Sequence, residues 1–336
     1  MSAAAQTILA IETSCDDTCA AVVTGDGEIR ANVISSQGVH DRYGGVVPEV
    51  ASRHHLELAT PVVDDALAQA GASLDDVDLV AVTAGPGLVG ALLVGVATAK
   101  GIAASRGLPL AAVDHLQGHV AANFLRTDGG AGAEPLEPPF LCLIASGGHT
   151  FLARVDDHDG FTVLGQTLDD AAGEAIDKGA RLLGLPFPGG PHLEKLAREG
   201  NPDAFDFPIA EKVGGLDFSF AGLKTALLYK VRDLGEAEAQ RRRADLAAAY
   251  QRAIVEALVL RCRRGLEQTG RDTLAIGGGV AANGPLRERL AQLGVKLHVP
   301  PRELCTDNAA MIASAARFTD AVDFPAYLGL DAYATA

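Results

Sequence analysis

The chain has 336 residues and a formal net charge of −15, because 43 acidic residues outnumber 28 lysines and arginines. This length suggests two domains, each large enough to bury its own core. Hydrophobic residues make up 48% and charged residues 21%, a globular composition that argues against disorder. The acidic balance excludes a general nucleic-acid-coating protein, so a nucleic-acid partner would need a local basic patch.

The five cysteines lie at positions 15, 19, 142, 262 and 305 and include no CxxC pair. This spacing argues against a disulfide framework or a structural zinc site and favours a reducing compartment. No basic leader precedes the first apolar run, which soon meets Glu12, and this is unlike a signal peptide. The most apolar stretch, residues 88–99, contains two glycines and is followed by Lys100, which predicts no membrane span. We expect a soluble, cytoplasmic protein.

The predicted elements begin with a strand–turn–strand pattern that recurs in the second half of the chain. In the first half the two strands and their turn lie at residues 8–11, 19–23 and 13–18, followed by a second turn at residues 25–27. In the second half they lie at residues 140–144, 151–155 and 145–150. The recurrence suggests internal duplication of a whole domain, and coincidence between two hairpins is the alternative.

The remaining segments alternate between predicted helices and strands. We predict helices at residues 57–70, 89–103, from 115, 171–183, 192–199, 236–269 and from about 307. We predict further strands at residues 79–83, 110–113 and 273–276. This alternation indicates α/β domains. Residues 127–139, rich in Gly, Pro and acid, form the best candidate linker.

The turn of each hairpin collects polar groups. Tight turns would expose the side chains of Glu12, Thr13, Ser14, Asp16, Asp17 and Thr18 in the first half and of Ser146 to Thr150 in the second. Glycines and backbone amides can grip a phosphate chain. The acids of the first turn would repel phosphate and instead suit a metal ion or the positioning of a proton. A plain hairpin is the alternative for each turn.

A run of three glycines, residues 277–279, follows the predicted strand at 273–276. With the residues after it, this run fits the GxGxxA dinucleotide fingerprint, and it permits close approach to a nucleotide. Its late position and the lack of an acid at the next strand end argue against a Rossmann dehydrogenase.

His115 and His119 are the sharpest local signal. A spacing of four residues places both imidazoles on one helix face, where they can bind one divalent ion. A metallopeptidase would need Glu directly after the first His, and that position is Leu116. Asp307 is the candidate third ligand, although its position also suits helix capping. Ordinary core or surface histidines are the alternative.

Nine motifs, in order from Ile8 to Ile312, resemble the bacterial tRNA N6-adenosine threonylcarbamoyltransferase family (TsaD/Gcp), whose older name is O-sialoglycoprotein endopeptidase. They are ILAIETSCDDT, VPEVASRHH, VDHLQGHV, IASGGHT, DDAAGEAIDK, PGGP, LDFSFAGLKTA, GGGVAANGPLR and TDNAAMIA. Each motif is weak alone, but nine in order over nearly the whole chain are highly specific.

The resemblance implies an α/β protein of the actin/sugar-kinase/Hsp70-like fold, with two duplicated RNase H-like domains and a nucleotide cleft between them. It implies a first domain at residues 1–126 completed by residues 308–336, a linker at 127–139 and a second domain at 140–307. It also implies one divalent metal per subunit, iron(II) in preference to zinc, bound by His115, His119 and Asp307.

The implied reaction transfers the threonylcarbamoyl group of threonylcarbamoyl-AMP to N6 of the adenosine just 3′ of the anticodon, position 37, in tRNAs that read codons beginning with A. Asp16 and Asp17 would orient this amine or remove its proton. The residues implied to bind the adenylate are Ile144, Ala145, Ser146, Gly147, Gly148, Asp177, Gly190, Glu194 and Asn283. Asp177 suits ribose hydroxyls, or else pairs with Arg181 on a helix surface. Glu194 stands where relatives often carry a ribose-contacting Asp.

The implied partners are tRNA, an inert paralogue of the same fold (TsaB-type) and a small P-loop ATPase (TsaE-type). The resemblance implies no association with a membrane. Basic candidates for tRNA contact are Arg42 with residues 53–55, residues 241–243 and residues 261–264. A solvated helix face is the alternative and is favoured for residues 241–243. Ala-rich surfaces at residues 51–70 or 88–99 could contact the paralogue.

Three other functions compete with the transferase. A small-molecule kinase of the same fold would need a substrate pocket that no motif identifies. A non-catalytic scaffold would have no reason to keep three metal ligands in register. A peptidase lacks its base at Leu116.

Overall fold

The computed structural model describes residues 6–43, 45–126 and 135–334, and the side chains of residues 41 and 42 lie outside this description. Contacts divide the chain into two compact units. Unit 1 comprises Met1–Pro138, Asp157–Gly160 and Pro300–Ala336, and unit 2 comprises Pro139–Asp156 and Phe161–Val299. Most of the predicted linker (residues 127–134) and the Arg42 side chain therefore lie outside the described residues.

The first half of the chain forms five strands and three helices. They are β1 (Thr7–Glu12), β2 (Asp17–Thr24), β3 (Ile29–Ser36), α1 (Pro48–Ala70), β4 (Leu79–Gly85), α2 (Val89–Arg106), β5 (Leu110–Asp114) and α3 (His115–Ala121). The sheet has the order β3-β2-β1-β4-β5, with antiparallel pairing among β1 to β3 and parallel pairing of β1 with β4 and of β4 with β5. Alternate side chains of the strands, such as Leu9, Val22 and Val80, pack with α1 and α2 in one apolar core.

The second half forms a second set of strands and helices. They are β6 (Phe140–Ala145), β7 (Thr150–Val155), β8 (Thr162–Gln166), α4 (Ala172–Leu182), α5 (Gly189–Ala197), α6 (Ala221–Leu234), α7 (Glu236–Arg241), α8 (Arg243–Thr269), β9 (Thr273–Gly277), α9 (Gly284–Ala291) and β10 (Lys296–His298). The final helix, α10 (Ala309–Ala316), belongs to unit 1 and is buried along its whole length. The sheet of unit 2 has the order β10-β9-β6-β7-β8.

The two sheets share one topology. In unit 2, β6 pairs antiparallel with β7 and parallel with β9, as β1 pairs with β2 and with β4 in unit 1. The connection within each leading hairpin has the same length, residues 13–16 in unit 1 and residues 146–149 in unit 2. The predicted internal duplication is therefore confirmed, since two unrelated hairpins would not also share their parallel neighbours.

Several predicted helix limits are wrong. Helix α1 begins at Pro48, nine residues before the prediction, because proline at the first helical position supplies a φ angle suited to a helix start. The predicted helix at residues 236–269 is two helices that meet at Arg242. Helix α6 was not predicted, and its first amide groups donate to Asp169, a residue about fifty positions earlier in the chain that no local pattern reveals.

Among the described residues, one helix, α2, is long and apolar enough to cross a membrane by length and composition. The helix that contains the apolar stretch does not end at Lys100, because α2 continues to Arg106. The Lys100 ammonium instead donates to the carbonyl oxygens of Leu328 and Leu330, at 3.0 and 2.5 Å. One face of α2, including Val96, lies in the core of unit 1, and a core helix passes the same test of length and composition.

Candidate metal centre and phosphate loop

A short helix, α3, carries both histidines of the predicted metal site. It follows β5 without a loop, and Asp114 at its N-cap accepts hydrogen bonds from the amides of Leu116 and Gln117 at 2.8 and 3.1 Å. The second carboxylate oxygen of Asp114 accepts a hydrogen bond from the Tyr333 hydroxyl at 2.7 Å. Side-chain capping of this kind stabilises a short helix, so the orientation of α3 is well defined.

The three predicted ligands meet in unit 1. His119 Nε2 lies 3.3 Å from Asp307 Oδ1, and His115 Nε2 lies 3.6 Å from the same oxygen. The two imidazole rings are 4.7 Å apart between centroids, and one ligand atom from each residue lies within 4.8 Å of the others. The structure therefore brings together two imidazole rings and one carboxylate, a donor set that suits zinc and iron(II).

His119 supplies a direct test of whether a metal fits. The residue is completely buried, and neither of its ring nitrogens has a hydrogen-bond partner among the described residues. A buried polar atom without a partner costs about 1–3 kcal/mol, so such atoms are rare in folded proteins. A cation bound at Nε2 would satisfy one of these two atoms. The residues present therefore fit a metal ion.

Glu12, one of the acids predicted in the first turn, has a contact with His115 that the sequence did not predict. It ends β1 and is fully buried, with Oε2 lying 3.0 Å from Nδ1 of His115. The same oxygen accepts a hydrogen bond from Thr83 Oγ1 at 2.6 Å, and Oε1 accepts one from the amide of Ser14. A carboxylate on Nδ1 fixes the tautomer of a histidine and leaves Nε2 for a metal, which is a common arrangement in metal sites. The prediction that Glu12 is exposed in a turn is wrong.

The charges of this cluster are strongly coupled. Burial acts to raise the pKa of Glu12, but the charge of His115 and the hydrogen bonds from His115 and Thr83 outweigh it and hold this pKa below its usual value. Burial acts to lower the pKa of His115, whereas the carboxylates of Asp307 and Glu12 raise it to about 9. The site therefore holds a positive charge strongly, whether that charge is a proton or a metal ion.

Asp307 is not the cap of the last helix. Asn308 is the N-cap of α10, and its Oδ1 accepts a hydrogen bond from the amide of Met311 at 3.0 Å. The capping alternative for Asp307 is therefore wrong. The residue lies one position before the cap, and from there its carboxylate reaches His119.

Asp16 and Asp17 lie at the start of β2, close to this centre. Both are half-buried. Burial, together with the charges of Asp307, Asp16 and Glu12, raises the pKa of Asp17 to about 6 against the opposing hydrogen bond of Ser36. A carboxylate with this pKa can accept a proton near neutral pH, as a general base must.

The second predicted turn has a different character. Ile144 and Ala145 are buried at the end of β6, whereas Gly147 and Gly148 are exposed in the turn. Ser146 closes this turn, because its Oγ accepts a hydrogen bond from the amide of His149 at 3.1 Å. We refer to residues 146–149 as the glycine turn. Its exposed glycines leave room for a ligand to approach the backbone closely.

Gly278, directly after β9, packs against Ala145, the residue that precedes the glycine turn. Gly278 has a φ angle of +83°, and a Cβ atom there would lie 2.5 Å from the carbonyl oxygen of Ala145. Only glycine fits both conditions. The residues that follow form a short 3-10 helix and then α9, and the dehydrogenase alternative gains no support from this topology.

The remaining predicted adenylate residues of unit 2 form two contacts. Asp177 Oδ1 accepts a hydrogen bond from the amide of Gly189, next to Gly190, at 2.7 Å. Glu194 Oε2 lies 3.2 Å from Nδ2 of Asn283, whose Oδ1 caps α9. Burial raises the pKa of Asp177, against the amide of Gly189 and the charge of Arg181. Asp177 is thus a half-buried acid that fixes the start of α5, which differs from the exposed helix-surface acid considered above.

The prediction of a basic surface is wrong for Arg261 and His55, which are buried. Arg261 is 2% exposed, and its guanidinium donates to the carbonyl oxygens of Asp217, Ala210 and Val213. His55 is also completely buried. Arg241 and Arg242 form ion pairs with Glu238 and Asp245 of their own helical segment, as the solvated-face alternative expects. Arg53 remains an exposed cation, paired with Glu49 one turn earlier.

The chain was compared with protein-family models. The model described as "TsaD: tRNA N6-adenosine threonylcarbamoyltransferase" matches residues 28–314. The chain belongs to the TsaD family. It is 50% identical over 317 residues to the tRNA N6-adenosine threonylcarbamoyltransferase of Clostridium perfringens strain SM101, an alignment that covers 93% of this chain and 92% of that protein. It is 53% identical over 317 residues to the protein of that name from Moorella thermoacetica, covering 93% and 91%. The resemblance inferred from nine motifs is confirmed.

Two solved structures of low sequence identity share the fold of this chain. Component A of the (R)-2-hydroxyglutaryl-CoA dehydratase of Acidaminococcus fermentans has a TM-score of 0.55 at 14% identity, covering 94% of this chain and 97% of that one. HypF of T. kodakarensis has a TM-score of 0.60 at 14% identity, covering 93% of this chain and 47% of that one. At these identities the likeness concerns the fold alone, and it confirms the predicted actin/sugar-kinase/Hsp70-like class.

Proposed function

We propose that this protein is a tRNA N6-adenosine threonylcarbamoyltransferase, which uses threonylcarbamoyl-AMP to modify the adenosine at position 37 of tRNAs reading codons that begin with A. The observation that carries the proposal is the cluster of His115, His119 and Asp307 with Glu12 behind it, in a chain about half identical to transferases of that name. A scaffold would have no use for a buried histidine whose ring nitrogens accept and donate no hydrogen bond among the described residues and face the carboxylate of Asp307.

For the metal we propose iron(II), with zinc as the alternative, held by Nε2 of both histidines and the carboxylate of Asp307. When bound, the ion supplies Lewis-acid polarisation of the acyl carbonyl and neutralises charge on the leaving phosphate. Glu12 holds the proton on Nδ1 of His115, so that Nε2 keeps its lone pair. Thr83 and the amide of Ser14 keep the Glu12 carboxylate in place.

We assign the proton chemistry to Asp16 and Asp17. The N6 lone pair of adenosine attacks the carbamoyl carbon, a new C–N bond forms, and the bond from that carbon to the phosphate oxygen breaks to release AMP. The amine loses one proton in this exchange, and a carboxylate of the acidic pair accepts it. The exocyclic amine is a poor nucleophile, so correct positioning by the carboxylates contributes much of the rate. No covalent enzyme intermediate is required.

For unit 2 we propose adenylate recognition. The end of β6 and the glycine turn would surround the nucleotide, and Asp177, Gly190, Glu194 and Asn283 would contact its ribose and phosphate. The carboxylates of Asp177 and Glu194 can each accept two hydroxyl hydrogen bonds. The amide of Gly189 donates to Oδ1 of Asp177, and Oδ2 would be the oxygen that contacts the ribose.

We further propose that the protein acts in the cytoplasm with tRNA, an inert paralogue of the same fold and a small P-loop ATPase. The two duplicated halves would be the domains predicted from the sequence, residues 1–126 with 308–336 and residues 140–307. The family resemblance and the repeated sheet topology support these assignments.

The decisive test is mass spectrometry of nucleosides from unmodified tRNA. The tRNA is incubated with this protein, its proposed partners, threonine, bicarbonate and ATP, alongside a His115→Ala variant. We expect threonylcarbamoyladenosine from the wild type and none from the variant. A second reaction with a known transferase verifies that the partners are active. No product from this protein under those conditions would refute the proposal and favour the kinase or scaffold alternative.

A further inference from the structure

His55 has a connection that its motif, VPEVASRHH, does not suggest. It lies on α1 and is completely buried. Its Nδ1 is 2.8 Å from the hydroxyl of Thr18, and its Nε2 is 3.0 Å from the carbonyl oxygen of Cys15. The two contacts fall on either side of Asp16 and Asp17. One side chain on a long helix thus contacts both ends of the segment that carries the acidic pair.

The chemistry of these partners fixes the protonation of the ring. A carbonyl oxygen can only accept, so Nε2 of His55 must carry the proton that bonds to Cys15. Nδ1 of the neutral ring is then an acceptor, and the Thr18 hydroxyl donates to it. Burial acts to lower the pKa of His55 and prevails over the opposing hydrogen bond from Cys15, which agrees with a neutral ring. Both nitrogens are therefore satisfied by one segment of four residues.

Other anchors hold the flanks of this segment. The carbonyl of Ser14 accepts from the amide of Leu88 at 2.8 Å, and the carbonyl of Asp16 accepts from the amide of Gln37 at 3.1 Å. These are backbone contacts that any sequence could make. The His55 contacts are the side-chain restraint that spans the segment, and a buried imidazole has no mobile tail, so it can hold both ends at a set separation.

We propose that His55 is a positioning residue for the transfer reaction: by bonding Cys15 and Thr18 at once, it holds the acidic pair Asp16–Asp17 in its working orientation. This inference rests on the proposed function for its link to catalysis. It replaces the predicted role of His55 in a basic tRNA surface, which its burial excludes. A displacement of about 1 Å in a catalytic group can cost about 10²-fold in rate, so a restraint of this kind has a measurable effect.

The test compares four variants of the full-length, metal-loaded protein, of which Thr18→Val removes only the hydroxyl that contacts His55. His55→Phe keeps an aromatic ring and removes both hydrogen bonds. His55→Gln keeps one donor and one acceptor at similar separation. His298→Phe makes the same substitution at a partly buried histidine on β10 of unit 2, to which no role in binding or transfer is assigned, and serves as the matched control.

Two readouts are needed, and the first does not depend on activity. Cys15 lies in the restrained segment and is partly exposed, whereas the other four cysteines are buried. Burial, followed by the charges of Asp16 and Asp307, raises the pKa of its thiol, so it should react slowly with iodoacetamide. Peptide mass spectrometry gives the alkylation rate of Cys15. The second readout is kcat and KM for threonylcarbamoyl transfer, with metal content measured in parallel.

We expect His55→Phe to increase Cys15 alkylation several-fold and to lower kcat by about 10- to 100-fold, with metal content and the KM for the adenylate nearly unchanged. His55→Gln should recover most of kcat, and His298→Phe should behave as wild type. Thr18→Val, which removes the hydroxyl alone, should shift both readouts in the same direction by less.

Unchanged Cys15 alkylation and unchanged kcat in a folded His55→Phe protein would overturn the inference. A loss of thermal stability in His55→Phe with normal kcat at low temperature would also overturn it, since that pattern indicates a structural role only. If wild-type protein makes no product while Cys15 alkylation still responds to His55→Phe, the proposed function fails and the restraint on the segment stands.

Discussion

The leading hairpins of the two units have the same backbone plan and opposite chemistry. In unit 1, β1 and β2 are joined by residues 13–16, beside a fully buried glutamate. In unit 2, β6 and β7 are joined by the glycine turn, whose two glycines are exposed. Glu12 and Ala145 correspond because each is the last residue of the first strand of its hairpin and the last to pair with the second strand, Glu12 with Cys19 and Ala145 with Thr150.

The duplicated scaffold places one residue at the end of the first strand of each hairpin, and the identity of that residue decides what the loop can bind. Glu12 in unit 1 adds a carboxylate that fixes His115 and attracts positive charge. Ala145 at the equivalent position in unit 2 adds no charge and packs against Gly278. A carboxylate there would repel a phosphate, whereas uncharged backbone can donate amides to it. One topology would thus serve the proposed cation site in unit 1 and the proposed anion site in unit 2.

The largest expected effect comes from removing a ligand in unit 1. Asp307→Ala should lower metal affinity by more than about 100-fold, beyond the range found for outer-shell partners, because it leaves two nitrogen donors only. Metal content after dialysis, measured by mass spectrometry of the elements, checks this. Glu303→Ala, an exposed acid on the same segment, is the control. Full metal content in Asp307→Ala would show that the cation site lies elsewhere.

Glu12→Gln tests whether the buried acid accounts for the difference between the hairpins. The variant keeps the size of the side chain and loses its charge, so His115 is oriented less firmly. We expect metal affinity to fall by about 10- to 100-fold, as for other outer-shell partners of metal-bound histidines. Competition with a chelator of known affinity measures the change. An affinity equal to that of wild type would separate Glu12 from the metal site.

The acidic pair predicts a pH dependence that the glycine turn should lack. Asp17 has a pKa raised to about 6 by burial and by nearby carboxylates, and it accepts a proton only when ionised. Its ionised fraction rises about tenfold between pH 5 and pH 7, and single-turnover transfer should rise accordingly. Asp17→Asn should lose this rise as well as most of the rate. A wild-type profile that is flat over this range would contradict a role for Asp17 as base.

The same shift has a consequence for stability. The folded state binds this proton more tightly than the unfolded chain does, because the folded pKa of Asp17 exceeds its usual value of 3.8. The contribution of Asp17 to the free energy of unfolding is therefore greater near pH 5 than near pH 7. Denaturant titrations of wild type and Asp17→Asn at both pH values should show the larger gain from the substitution at pH 7.

The smallest expected effect is in unit 2. Ser146→Ala removes the hydroxyl that accepts from the amide of His149 and loosens the glycine turn. The loss of one such hydrogen bond is worth about 1 kcal/mol, or about fivefold in the KM for the adenylate. Metal content should stay at the wild-type level, which distinguishes the two hairpins. A change in metal content with unchanged KM would reverse the assignment of chemistry to the units.

Much of this molecule was predictable from short-range patterns. Short apolar runs between turn residues predicted the strands of both hairpins, and their repetition predicted the duplication that the sheet orders confirm. The spacing of His115 and His119 predicted a shared helix face, which α3 provides. These features depend on residues within one or two turns of each other, and the period of a helix or strand relates such residues directly to one face.

The tertiary structure alone decided which distant residues meet. Glu12 contacts a histidine 103 positions away, and His55 contacts Cys15 from 40 positions away. Asp169 caps a helix that begins about fifty residues later, and Arg261, which reads as a surface cation, is buried among backbone carbonyls. No local pattern encodes these contacts, because they form when separate elements pack and each buried polar group must find a partner. Local patterns therefore predicted most of the helices and strands and the types of ligand residue. Packing determined which distant residues meet, and those contacts give the site its chemistry.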